Sequence, residues 1–421
     1  MNDIDAVSHV AAPHAARADT VPSLLAEIEA IGADRLRGGY SRPVFSAAEL
    51  ELREWFIAHA TKRGLDVEID QVGTIRAWWH TPSRSTTGAV LTGSHLDSVP
   101  GGGAFDGPLG IASALVAVDL LRARGFVPEK PLVVAAFPEE EGSRFGVACL
   151  GSRLLTGAIT PERALALRDN DGDTFAEVLT RNGFSPEFVG PDVDGVRAFD
   201  SFVELHVEQG RALVDHDAAV AIGSSILGHG RWRASIRGEG NHAGTTLMSD
   251  RRDPMVAAAR AIQTIRDAAR TTPDARATVG RLQPVPGGTN VIASRVDFWI
   301  DVRHPDDGVT AALVESIRNA LALIAAEEGC EAELTEESFS ATTHFDTALR
   351  GTLESLLPDA PVLDTGAGHD AGVLASLIPT AMLFVRNPTG ISHSPEEYTT
   401  DLDAQLGAEK LADVLQGLLV A

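Results

Sequence analysis

Cysteine is scarce: the chain has 2 in 421 residues, Cys149 and Cys330. That excludes a disulfide scaffold and a thiolate-based zinc module, and it fits a reducing compartment. Positive charge is also short, with 35 Lys plus Arg against 59 Asp plus Glu and a formal net charge of −24. Such a balance leaves no basic footprint for a nucleic-acid backbone. No uninterrupted apolar run nears the ~20 residues of a membrane-spanning helix. The longest tract, at 111–121, is broken by Ser113 and Asp119. The opening MNDIDAVSHVAAPHAARADT lacks a basic stretch followed by an apolar one. Residues 1–21 therefore read as a tail and not as a secretory signal. The expectation is a cytoplasmic protein that binds neither nucleic acid nor membrane. Also missing are a Gly-x-Ser-x-Gly nucleophile elbow and a Gly-x-Gly-x-x-Gly fingerprint after a strand. Gly287-Gly288 and Gly238-Glu239-Gly240 read as turns.

What is present is a chain 44% hydrophobic, rich enough for large cores. Short β-branched or apolar runs at 89–92, 131–137, 201–207 and 381–385 predict strands, and 109–122 predicts a helix. Buried strands separated by helices point to an α/β fold: a mixed, largely parallel sheet with helices on both faces. The middle differs. Residues 230–237 alternate with period two, 277–285, 296–302 and 331–338 read as strands, and 254–269 and 310–328 as helices. That pattern predicts a small α+β unit at 218–340, inserted between catalytic segments at 22–217 and 341–421.

Polar groups collect after the apolar runs. His95 follows the first, and a glycine-rich turn then leads to Asp106. Glu139, Glu140 and Glu141 follow the second. Alternation in SFVELHVEQG puts Glu204, His206 and Glu208 on one face, opposite Val203, Leu205 and Val207. His393 lies beyond the fourth run. Taken singly, each has a bland reading: a strand His is usually a satisfied group, three acids a solvated loop, Asp-Gly a turn. Together they repeat one pattern in four segments, and ligands bind at the carboxyl ends of such strands. Several imidazoles and carboxylates converging there need cations to offset them. A donor set without thiolate suits Zn²⁺, Mn²⁺, Co²⁺ or Ni²⁺ better than Ca²⁺ or Mg²⁺.

The motifs GSHLDS at 93–98, FDG at 105–107, EEEGSRF at 139–145, ELHVEQG at 204–210 and SHSP at 392–395 resemble those of the M20 family of dinuclear metallohydrolases, most nearly its ureido-cleaving subgroup. NHAGTT at 241–246, GGTNVI at 287–292 and DVRH at 301–304 extend the likeness into the middle unit. The resemblance implies a metal-dependent exopeptidase-like catalytic domain with an inserted lid and dimerisation domain. It also implies two divalent ions, Zn²⁺ or Mn²⁺ foremost, held by His95, Asp106, Glu141, His206 and His393, with Asp106 shared. Glu140 is implied as general base, and His242 as both a catalytic and a substrate residue. Gln209, Asn290 and Arg303 are implied to hold substrate, and Asp97 to orient His95. The implied activity cleaves the carbamoyl C–N bond of allantoate or an N-carbamoyl-L-amino acid, with a slight leaning to allantoate. Its substrate is a small carboxylate bearing a ureido group, and a homodimer through the lid is expected. An aminoacylase or dipeptidase of the same family, or a ligand-binding member without turnover, are the alternatives. For Arg303 the bland reading is a surface pair with Asp301 or Asp253. His369-Asp370 is either part of the site or a helix start.

Overall fold

The computed structural model describes residues 19–420. Residues 1–18 of the expected tail lie outside them, while Thr20 already caps a helix, Val21–Glu27. Asp19 pairs with Lys62 and Arg63.

The larger sheet contains β1 (Asp66–Ile69), β2 (Ile75–Trp79), β3 (Ala89–His95), β4 (Leu132–Phe137), β5 (Phe199–Val207) and β6 (Val220–Ile226). The smaller unit supplies β7 (Gly228–Arg237), β8 (Asn241–His242), β9 (Arg276–Val285), β10 (Val291–Ile292), β11 (Arg295–His304) and β12 (Glu331–Ser340). β13 (Thr343–His344), β14 (Val362–Thr365) and β15 (Thr380–Val385) return to the larger sheet. Its order is β1-β2-β4-β3-β5-β15-β6-β13, with β14 also on β6. The central four, β4-β3-β5-β15, are mutually parallel, and antiparallel strands flank them.

Every residue of β3, β4 and β15 is buried, because helices cover both faces. Along β4 the side chains divide by the period of two. Leu132, Val134 and Ala136 enter one core with the helices Pro108–Ala123 and Asp401–Leu418. Val133, Ala135 and Phe137 enter the other with the helix Leu150–Thr156. The predicted central strands and the 109–122 helix match these elements to within a few residues.

The smaller sheet, β12-β7-β11-β9, is wholly antiparallel. Trp232, Ala234 and Ile236 of β7 face inward, alternating with exposed Arg231, Arg233 and Arg237. The helices Pro254–Thr271 and Asp307–Glu327 cover that inner face. The expected start at 218 is corrected here: β6 hydrogen-bonds to β15 and β14 in the larger sheet, so the smaller sheet begins at Gly228. The 21-residue helix Asp307–Glu327 is long and apolar enough to cross a membrane by length and composition. Its Leu313, Ile317, Leu321 and Ile324 pack into the smaller core instead. Glu315 and Arg318 pair on its outer side.

Candidate metal centre

Because β4, β3, β5 and β15 run parallel, their carboxyl ends share one edge of the sheet. His95 ends β3, His206 is the penultimate residue of β5, Glu139–Glu141 follow β4, and His393 follows β15. Asp106 reaches the edge through a glycine turn. Gly107 has φ +85°, and a Cβ there would stand 2.6 Å from the His95 ring, so only glycine lets the turn close on the imidazole.

Asp106 is the centre of the cluster. Its Oδ1 lies 3.3 Å from His95 Nε2 and 3.2 Å from His206 Nε2. Its Oδ2 lies 3.6 Å from His393 Nε2, which is 3.3 Å from Glu141 Oε2. Two groups therefore form, His95–Asp106–His206 and Asp106–Glu141–His393, with Asp106 in both. Backbone carbonyls aim the imidazoles: Asp97 O is 2.9 Å from His95 Nδ1, and Val207 O is 3.0 Å from His206 Nδ1. With Nδ1 donating, each Nε2 is left as an electron-pair donor toward Asp106.

Asp97 was expected to orient His95, and it stands beside that ring: its backbone carbonyl takes the Nδ1 contact and its carboxylate Oδ1 lies 3.7 Å from the same nitrogen. The Asp97 carboxylate also accepts the amide N–H of Glu140 on one oxygen and of Glu141 on the other, each at 3.1 Å. It thereby fixes the three-glutamate loop. Glu141 Oε1 accepts from Val99 N–H at 3.3 Å, leaving Oε2 for the cluster. Glu140 belongs to neither group. Its Oε2 is 3.7 Å from His95 Nε2, and its Oε1 is 3.6 Å from His369 Nδ1.

Electrostatics shows what the donor set lacks. Burial, then the charge of Asp106, pushes Glu141 up to about 8. Burial, with the charges of Glu141, Asp370 and Asp106, raises Glu140 well above the carboxylate range. Carboxylates this crowded hold protons even though the charge of His95 pulls the other way. The residues fit divalent cations: imidazole and carboxylate donors, pre-aimed and short of positive charge.

The expected substrate residues differ in how near the cluster they lie. Gln209, expected on substrate, donates from Nε2 to Asp106 Oδ2 at 2.9 Å. Arg303 sits on β11, where its Nε is 2.7 Å from Asp301 Oδ1 and its Nη1 donates to the carbonyl of Gly366, before His369. The Asp301 half of its bland reading is thus met, alongside a bond into the larger unit. His242 and Asn290 are exposed neighbours at the β8–β10 ladder, where Ala243 N–H meets Asn290 O. Among the described residues no hydrogen bond or ion pair joins them to the Asp106 cluster. Glu208 turns away to the amides of Ala212 and Leu213.

His369 proves to be part of the site's wall. Its ring packs 4.5 Å from that of His206, it is buried, and neither ring nitrogen has a hydrogen-bond partner among the described residues. Burial, then the neighbouring His206, keeps it neutral. Asp370 accepts from Ser152 Oγ behind it. Glu204 accepts from Ser94 Oγ and the Ala371 amide. Glu397, buried beside Asp106, was missed; an acid in Ser-Pro-Glu-Glu-Tyr carries no signal that separates it from a solvated turn.

Imidazoles and carboxylates gathered at the carboxyl edge of a buried parallel sheet, with one more glutamate held off the donor groups, form a donor set suited to divalent cations. Residues 91–417 match the model of peptidase family M20/M25/M40, and the chain belongs to that family. An N-carbamoyl-L-amino acid amidohydrolase of Geobacillus stearothermophilus is 36% identical over 89% of this chain and 92% of its own length. An allantoate amidohydrolase of Escherichia coli (strain K12) is 32% identical over 93% and 95%. The crystal structure of an amidase of the hydantoinase/carbamoylase family from Burkholderia multivorans superposes with a TM-score of 0.83 at 32% identity, covering 94% of this chain and 97% of that one.

Proposed function

We propose that this enzyme hydrolyses the ureido C–N bond of a small carboxylate, allantoate or an N-carbamoyl-L-amino acid. In this reading two divalent ions, Zn²⁺ or Mn²⁺ with Co²⁺ or Ni²⁺ as alternatives, are held by the two donor groups. The observation that carries it is the membership of one buried carboxylate, Asp106, in both groups. The relatives named for N-carbamoyl-L-amino acids and allantoate support the substrate class.

Divalent ions bound there supply a water of lowered pKa and a Lewis acid for the carbonyl oxygen. Glu140, buried and outside both groups, takes the proton of the attacking water and returns it to the departing ammonia, a role worth ~10²–10⁴ in rate. The remaining carbamate breaks down to carbon dioxide and the free amine. Arg303 offers a planar fork for the substrate carboxylate. His242 donates to the carbonyl oxygen as charge grows on it, and Asn290 and Gln209 hold the substrate's polar atoms. For His242 and Asn290 to arrive, the smaller unit closes over the sheet edge, or a second copy lends them. A homodimer through the smaller unit is part of the reading, and the open edges β9 and β12 of its sheet support it. A cytoplasmic location keeps the free, buried Cys149 and Cys330 reduced.

The test is ammonia release from allantoate, N-carbamoyl-L-amino acids and N-carbamoyl-β-alanine, with and without chelator. At least one should release ammonia, stop on chelation and resume with Mn²⁺ or Zn²⁺. Turnover only of N-acyl amino acids or dipeptides, or of nothing, contradicts the reading.

A further inference from the structure

Glu397 is buried, 3% exposed, four residues beyond His393, and it has no part in the chemistry above. One oxygen, Oε1, accepts two backbone N–H groups: Phe105 at 3.2 Å and Asp106 at 3.0 Å. The other, Oε2, has no hydrogen-bond partner among the described residues. Its own amide closes a turn on Ser394 O at 3.1 Å, which ties it to the segment that carries His393. The rings of Phe105 and Tyr398 meet edge to face at 6.2 Å, joining the same two segments again. Gly103, at the start of the Asp106 turn, leaves room for this carboxylate, since a Cβ there would lie 2.2 Å from Glu397 Oε1.

We infer that Glu397 is a positioning residue that locks the Asp106 turn to the His393 loop, and so fixes the shared ligand for the Asp106–Glu141–His393 group. The two groups differ in what else supports them. His95 and His206 sit on buried strands, each held by a backbone carbonyl. His393 lies on a loop, its side chain 51% exposed, and Glu397 is what connects that loop to Asp106. Loss of the connection therefore weakens one ion far more than the other. This inference rests on the metal reading proposed above.

The test is calorimetric titration of metal-stripped protein with Co²⁺, following the visible spectrum in parallel. His393→Ala marks which binding step belongs to the loop group. Glu397→Ala should weaken that step by ~10–100-fold, the usual cost of losing a residue that supports a metal ligand, and leave the other step within about threefold of its value. Glu397→Gln keeps an acceptor at Oε1 and changes only the unpartnered oxygen, so it should restore binding. Gly103→Ala, whose methyl displaces the carboxylate without altering charge, should reproduce the loss and decides the matter if Glu397→Ala does not fold. Equal weakening of both steps, no weakening, or failure of Glu397→Gln to restore the loop step overturns the inference. If the unaltered protein takes up no ion, the metal reading itself falls; if it takes up two and the variants match it, only the role of Glu397 falls.

Discussion

Gln209 donates its side-chain N–H to Asp106 Oδ2 at 2.9 Å, the same oxygen that faces His393. This amide offsets part of the charge on Asp106. A hydrogen bond to a charged group contributes ~1.5–3 kcal/mol. Gln209→Leu should therefore lower the stability of chelated protein by about that amount, and cost less when ions neutralise Asp106. Urea unfolding with chelator and with Mn²⁺ checks this. Equal losses in both would mean that the bond is indifferent to the charge on Asp106.

Glu140 and Glu141 are adjacent, yet the structure assigns them differently: Glu141 belongs to a donor group and Glu140 does not. Glu140→Gln should keep full metal content while turnover falls by ~10²–10⁴. Glu141→Gln should lose an ion. Metal analysis beside kinetics separates them, and loss of metal from Glu140→Gln would move the ligand by one residue.

Acidity gives a further prediction. Burial raises Glu139, Glu141 and Asp370 to about 8, above their ordinary values. The folded metal-free chain thus binds protons more tightly than the unfolded one, and its stability must fall as pH rises. The fall begins in the ordinary carboxylate range and ends near about pH 8, where these groups ionise in the fold. Bound cations favour the ionised carboxylates, so metal-loaded protein should lose less. Melting temperatures across this range, with chelator and with Mn²⁺, test it; a chelated protein that gains stability over the window would contradict the sign.

Arg303 spends its fork on Asp301 and Gly366 O in the substrate-free chain. Lysine would keep the charge and lose the planar geometry. Arg303→Lys should raise KM about tenfold or more with a smaller change in kcat. An unchanged KM removes Arg303 from substrate binding and leaves it a tie between the two units.

The central strands and the side chains that cluster at their ends were legible because burial on both faces demands apolar runs, which make any polar residue at their ends conspicuous. His95, after AVLTGS, is such a case. Strand β6 was not legible: Gly223, Ser224 and Ser225 dilute its apolar pattern, and only pairing with β15 and β14 shows which sheet it joins. Gln209 was recognisable as a site candidate, but its bond to Asp106 was not, because partner choice depends on tertiary distances of a few ångströms. Glu397 was invisible for the same reason, since its function is to accept from amides 291 and 292 residues away along the chain.

The most direct test of the shared-carboxylate site is anomalous X-ray diffraction from crystals of the enzyme reconstituted with Mn²⁺ or Zn²⁺. Two peaks should flank Asp106, one among His95 and His206 and the other among Glu141 and His393. A single peak, or peaks that leave Asp106 bound on one side only, would contradict it.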